Sequence, residues 1–169
     1  KTPDYYENLY PTRNLPEGAR VVRVAPSPTG YLHLGVLFAS LVNRITATSS
    51  GGIFFTRIED TDKKREVEGG IEDIIGGLGR FGITIDEGFI SGTEQKGDYG
   101  PYQQSKRAEI YQTYVKELIR QGLAYPCFCT AEDLEKVRNE QESQKLKTGY
   151  YGKYAKHRDI TYDDAKALI

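Results

Sequence analysis

The chain is 169 residues long, 38% hydrophobic and 28% charged, with a formal net charge of −1. That length suits one ordinary domain, or one and part of another, and the balance is that of a soluble globular chain. The near-neutral charge excludes a uniformly basic nucleic-acid binder, so an RNA or DNA partner needs a local patch.

Residues 1–20, KTPDYYENLYPTRNLPEGAR, read as an irregular, Pro-punctuated lead-in, with Tyr5, Tyr6, Leu9 and Tyr10 free to pack. They lack the apolar core of a signal peptide. Arg20–Val24 is a short β-branched strand. The loop APSPTGYLHLG, residues 25–35, follows. From Leu34 the apolar positions Leu37, Phe38, Leu41, Val42 and Ile45 recur in steps of three and four, which predicts an amphipathic helix. Gly51 and Gly52 end it, and Ile53–Ile58 is a second strand. Strand, helix and strand in this order imply a parallel pair with a right-handed crossover.

A second helix is predicted from near Glu66 to Arg80, with Ile71, Ile74, Ile75 and Leu78 on one face, then a strand over Phe81–Ile85. Residues 86–100 are loop-like. Ser105 is the predicted cap of a helix with Ala108, Tyr111, Val115, Leu118 and Ile119 inward and Gly122 as its stop. Thr130 with Asp133 opens a mostly polar helix, and Thr161 with Asp164 opens another. Lys145, Lys147, Lys153, Lys156, His157 and Arg158 form a local basic run. No apolar run is long enough to cross a bilayer. The chain has no Met, so the expectation is a piece of a longer protein.

The opening loop carries chemistry. A tight strand-to-helix turn presents backbone N–H groups and the positive end of the helix dipole to an anion. Pro26 and Pro28 fix its dihedrals, Gly30 and Gly35 allow a ligand close to the backbone, and His33 stands at the helix start. The sequence is neither a Walker loop nor a Rossmann dinucleotide fingerprint, so the residues alone give a phosphate-binding turn. RIEDTDKKR, residues 57–65, ends the second strand and should lie beside that loop at the same sheet edge. Strand alternation puts Arg57 and Glu59 on one face, where a carboxylate is suited to hold an ammonium group.

RVAPSPTGYLHLG, FFTRIEDTD, LGRFGITIDEG and GPYQQSKRAEIYQTYVKELIRQGLAYPCFC, in this order and spacing, resemble the amino-terminal part of the bacterial-type glutamyl-tRNA synthetases over residues 20 to 158. The resemblance implies an α/β fold: the first half of a Rossmann-type parallel-sheet class I catalytic domain over 20–99, after an extension at 1–19, and the start of an acceptor-stem-binding insertion over 100–169. His33-Leu34-Gly35-Val36 looks like the H-I-G-H signature, with Val36 in place of the second His. By that likeness His33 and Gly35 are catalytic, and Pro26, Thr29, Gly30, His33 and Gly35 hold ATP. Arg23, Ala25, Ser27 and Glu59 bind glutamate, with Arg23 suited to a carboxylate and Glu59 to the α-ammonium. Asp62, Arg65 and Tyr102 face the tRNA, and the basic run faces acceptor-stem phosphates.

The activity implied is ATP-dependent activation of glutamate and transfer to the terminal ribose of tRNA. The partners are glutamate, ATP, magnesium and tRNA, in a cytoplasmic, monomeric parent with no membrane association. Cys127 and Cys129, one residue apart, fit a reducing compartment. Some members hold zinc with C-x-C and two later ligands. Here the place of the third Cys is Tyr154, with Tyr150 and His157 as remaining ligands, and the weighting is against zinc. No second class I signature, the K-M-S-K-S-like loop, is present in the sequence, so the chain is expected to be inactive alone and its sheet and an apolar face incompletely covered. The paralogue that modifies a tRNA base with glutamate, and a non-catalytic RNA-binding fragment, stand as alternatives.

Overall fold

The computed structural model describes residues 1–168. Its contacts divide into two compact units, Lys1–Thr113 and Tyr114–Ile169, so residues 100–113 pack with the first and the division falls within a helix rather than at residue 99.

In the first unit, β1 (Val21–Val24) and β2 (Ile53–Thr56) form a parallel pair, Val21 opposite Ile53 and Val24 opposite Thr56. Helix α2 (Leu34–Ser50) makes the crossover. It ends at Gly51, in the left-handed conformation at φ 65°. Gly52 then passes so close to β1 that a Cβ would lie 1.9 Å from the Arg20 carbonyl oxygen. One core cluster gathers Val24, Ala47, Phe54, Leu78 and Ile83; another gathers Ile58, Ile74, Ile75, Phe89 and Tyr102. Helix α3 (Gly70–Arg80) supplies Ile74, Ile75 and Leu78, matching the expected apolar face.

Several expectations are corrected. The lead-in is not irregular: α1 spans Pro3–Leu9, with the Thr2 hydroxyl accepting from the Tyr5 amide and a Pro in the first turn. Phe81–Ile85 is not a strand. The Ile83 amide bonds back to Leu78 to close α3, and the pairing with β2 comes later, through Asp86 N–H to the Phe54 carbonyl and Thr56 N–H to the Glu87 carbonyl. A two-residue hairpin follows, β3 (Gly88–Phe89) against β4 (Gln95–Lys96). Ser105 does not cap a long helix. It lies inside a 3₁₀ turn, Gln104–Arg107, that leads into α4 (Ala108–Arg120), because its hydroxyl and amide both bind Asp60.

In α4, Val115, Leu118 and Ile119 are exposed rather than inward. The apolar face of α2 is exposed likewise: Leu34, Phe38, Leu41, Val42 and Ile45 lie on the surface, so most of the face that the period predicts is not buried. In the second unit, α5 (Ala131–Ser143) starts at the predicted capping box of Thr130 and Asp133, and α6 (Tyr162–Ala167) is capped by Thr161. Among the described residues, no helix is long and apolar enough to cross a membrane.

The amino-terminal segment is fastened by charge as well as by packing. The Arg13 guanidinium donates both arms to Glu87, stacks 3.6 Å over the Tyr99 ring, and sits where Tyr102 also donates to Glu87 at 2.9 Å. Burial pushes the Glu87 pKa up, but the Arg13 and Tyr102 hydrogen bonds outweigh it and hold it below its usual value. A carboxylate depressed in the folded state contributes stability above its unfolded pKa and loses it as pH falls through the folded one. Chemical denaturation from pH 6 to pH 3 should therefore show stability falling below about pH 4, and Glu87→Gln should lose about 1–3 kcal/mol at pH 6 and flatten that fall. A slope unchanged by the substitution would contradict the assignment.

Candidate active site

The site begins where β1 and β2 end. The ladder between them runs past the strands: Arg57 N–H donates to the Val24 carbonyl at 3.1 Å and Glu59 N–H to the Pro26 carbonyl at 2.9 Å. RIEDTD thus lies directly beside APSPTG, as expected. The loop is anchored further by Val67 N–H on the Pro28 carbonyl at 2.8 Å and by Leu32 N–H on the Asp73 carboxylate at 2.8 Å. Pro28 is fully buried, whereas Gly30 faces open space, so the turn is rigid behind and accessible in front.

His33 is the N-cap of α2. Its Nδ1 accepts from the Gly35 amide at 3.2 Å, so the imidazole proton sits on Nε2. Gly35 has a steric reason as well: a Cβ there would come within 3.1 Å of the His33 ring. The remaining orphan N–H groups of the first turn and the Nε2–H are the donors available to a phosphate.

Arg23, on β1 opposite Phe55, shares a sheet face with Arg57 and Glu59. Its Nη1 lies 3.8 Å from Glu59 Oε1, and Arg57 Nη2 donates to the same oxygen at 3.1 Å. The structure therefore brings Arg23 and Glu59 together, and adds Arg57, which sequence reasoning placed on that face without giving it a role. Ala25, Ser27 and Thr29 lie on the connecting loop with Pro26.

Asp60 points the other way and is fully buried. It accepts from Ser105 Oγ at 2.6 Å, Gln103 Nε2 at 2.7 Å, Ser105 N–H at 2.9 Å and Lys63 Nζ at 3.0 Å. Burial alone would raise its pKa; the Ser105, Lys63 and Gln103 donors reverse that and hold it well below the carboxylate range. Ile58 pairs with Gln103 in parallel, so the same turn stitches RIEDTD to GPYQQS. Sequence reasoning missed this partner set; that Asp60 is buried while Glu59 and Asp62 on either side are only half-buried is visible only in three dimensions.

Of the residues expected to face tRNA, Asp62 and Arg65 are paired with each other at 2.6 Å on the surface. Tyr102 is corrected: it is 2% exposed, its hydroxyl is spent on Glu87, and burial pushes its pKa up to about 12. No RNA reaches it.

In the second unit, Cys127, Cys129 and His157 place their donor atoms within 4.8 Å of one another. The Tyr150 hydroxyl lies 3.2 Å from the Cys127 sulfur and 3.5 Å from that of Cys129. The Tyr150 hydroxyl, the Cys129 amide and His157 lower the Cys127 pKa to about 6. Tyr154 stays outside this cluster, buried with its hydroxyl on Glu140. The sequence left Tyr150 and His157 as the remaining ligands beside the two thiols; the structure brings both of them to Cys127 and Cys129. Two thiolates and an imidazole are the ligand types a structural zinc takes, and the group fits it. Clefts of about 440 and 860 Å³ also lie in this unit, and neither is lined by any residue of the strand–loop–helix site.

The profile of the tRNA synthetases class I (E and Q), catalytic domain, matches residues 20–167. A glutamate–tRNA ligase of Clostridium perfringens is 55% identical over 165 residues, 98% of this chain and 30% of that protein. The corresponding ligase of Bacillus subtilis is 47% identical over 148 residues, 88% of this chain and 29% of that protein. Among solved structures, a glutamate tRNA ligase from Elizabethkingia meningosepticum in complex with its amino acid superposes with a TM-score of 0.77 at 37% identity, covering 90% of this chain and 30% of that one. The chain thus spans about 30% of the length of the relatives it matches. With the parallel pair, the capped loop and the RIEDTD edge in place, the chain belongs to the class I tRNA synthetases of the glutamate and glutamine type and carries part of their catalytic domain.

Proposed function

We propose that this chain forms the glutamate- and ATP-binding part of a cytoplasmic glutamate–tRNA ligase. The observation that carries the reading is the convergence of Arg23 and Glu59 on one sheet edge beside the His33-capped loop. Arg23 pairs with the side-chain carboxylate of glutamate, and the free oxygen of Glu59 accepts from its α-ammonium. Ala25 and Ser27 line the amino-acid side of the loop; Pro26, Thr29 and Gly30 shape its ATP side. The α-carboxylate of glutamate attacks the α-phosphorus of ATP and displaces pyrophosphate. No protein nucleophile is needed. Charge grows on the phosphate oxygens during this step, and the Nε2–H of His33 with the first-turn amides beside Gly35 is placed to stabilise it.

Among the described residues, the grouping of metal-ligand side chains is the thiol–imidazole cluster, which does not suit magnesium. Magnesium would accordingly arrive on the ATP phosphates. The acyl group then passes to the terminal ribose of tRNA; Asp62 and Arg65 of the first unit contact RNA, and the basic run of residues 145–158 in the second unit binds RNA phosphates on its own account.

Calorimetric titration with a non-hydrolysable glutamyl-adenylate analogue tests the reading. Arg23→Ala and Glu59→Gln should each weaken binding at least about tenfold, the scale of a lost charged hydrogen bond. Equal affinity for an alanyl analogue would overturn it.

The cluster of Cys127, Cys129, His157 and Tyr150 gives a separate expectation. Chain refolded with zinc should retain about one zinc per molecule, by atomic emission after dialysis, and Cys129→Ser should lose it. A wild-type chain that emerges metal-free contradicts the fit.

A further inference from the structure

The structure assigns to Arg57 the role of a positioning residue: it holds Glu59 in place while Arg23 is drawn away to the substrate, and it gives the site the positive charge that favours glutamate over its neutral amide. The inference rests on the glutamate reading above.

Three distances carry it. Arg57 Nη2 is hydrogen-bonded to Glu59 Oε1 at 3.1 Å, whereas Arg23 Nη1, at 3.8 Å from the same oxygen, is beyond hydrogen-bond range. The ladder bond from Glu59 N–H to the Pro26 carbonyl at 2.9 Å fixes the backbone beneath both. Oε2 of Glu59 accepts no hydrogen bond among the described residues. Of the two arginines, Arg57 is the inner one, its side chain 20% exposed against 37% for Arg23.

An amino acid with a carboxylate side chain carries the same pair of charges that Arg23 and Glu59 offer each other. On binding, its carboxylate takes Arg23 and its ammonium takes Oε2 of Glu59. Arg23 then stops neutralising Glu59. With no second cation, the Glu59 side chain would be free to follow Arg23 or turn to solvent, and part of the binding energy would go into re-ordering it. Arg57 removes that cost, because its shorter bond to Oε1 does not involve the substrate.

The charges point the same way. Arg23, Arg57 and Glu59 together carry one surplus positive charge. Glutamate, with one ammonium and two carboxylates, carries one surplus negative charge; glutamine carries none. In the adenylate the α-carboxylate is joined to the phosphate as a mixed anhydride, and the side-chain charge remains as the difference between the two. Without Arg57 the cluster is neutral and its preference for the charged side chain weakens. The buried Arg57 Nε has no acceptor, so this guanidinium is not held by hydrogen bonding to the protein all round. An unpaired donor of that kind is uncommon in native folds and calls for a reason beyond packing.

The test uses this chain with glutamyl- and glutaminyl-adenylate analogues, for wild type, Arg57→Ala and Arg57→Lys, alongside thermal melts. The account expects wild type to prefer the glutamyl analogue. Arg57→Ala should weaken it about tenfold while binding of the glutaminyl analogue changes little, so the ratio collapses, and Arg57→Lys should recover part of the ratio. A merely structural role would lower the melting temperature and weaken both analogues alike. Wild-type preference with an unchanged ratio in Arg57→Ala overturns the inference and leaves the glutamate reading standing. A wild-type chain that binds both analogues equally, or neither, overturns the glutamate reading, and the inference falls with it.

Discussion

The buried carboxylate of Asp60 is the constraint on which the rest of the site depends. A charge taken fully out of water must find its partners inside the protein, and this one takes four donors from Lys63, Gln103 and Ser105. Three of those bonds come from a segment more than 40 residues along the chain, so most of the cost of burial is met only when residues 103–105 come alongside the end of β2. Once they do, Ile58 N–H reaches the Tyr102 carbonyl and Gln104 N–H reaches the Ile58 carbonyl. Asp60 thus acts as a peg between RIEDTD and the segment that leads into α4. Its neighbour Glu59 is turned to the opposite face by strand alternation and meets Arg23 and Arg57 there. One side of this short run fixes architecture and the other presents chemistry.

The loop before α2 works by a similar economy. Its prolines and the bonds from Val67 and Leu32 hold its back, while His33 caps the helix with one ring nitrogen and keeps the other outward. A histidine that caps a helix loses rotational freedom on folding rather than on binding. Gly35 is part of the same device, because a side chain there would push the ring out of its cap. Geometry of this kind is what a reaction without a protein nucleophile requires, since positioning and charge stabilisation carry its rate.

Much of this was legible in the sequence. The period of apolar residues from Leu34, the capping residues Thr130 and Thr161, and the isoleucine face of α3 are local signals, and each survives in the structure. The failures share a cause. Ser105 has the chemistry of a helix cap, yet a buried carboxylate 45 residues away claims its hydroxyl. Phe81–Ile85 has strand composition, but the closing turn of α3 uses its amides first. Tyr102 and Arg57 look alike to a sequence reader, as polar-tipped side chains near motifs; only the contacts show one buried on Glu87 and the other set against Glu59. The zinc-type cluster was half visible: C-x-C stands out in a sequence, whereas the approach of His157 and Tyr150 depends on how the loop after α5 returns. The apolar stripe of α2 is a different case: its period is plain in the sequence, but its place on the surface rather than in the core appears only in the structure.

The claim that Asp60 pegs the site together is tested most directly by amide hydrogen exchange, residue by residue, in the wild-type chain and in Asp60→Asn. The account predicts that Ser105, Ile58 and Gln104 are protected in the wild type and lose protection together in the variant, while the Ala47–Leu78 core keeps its own. If Ser105 alone loosened and Ile58 and Gln104 stayed protected, the ladder would be standing without its peg, and the buried carboxylate would be a consequence of the architecture rather than its support.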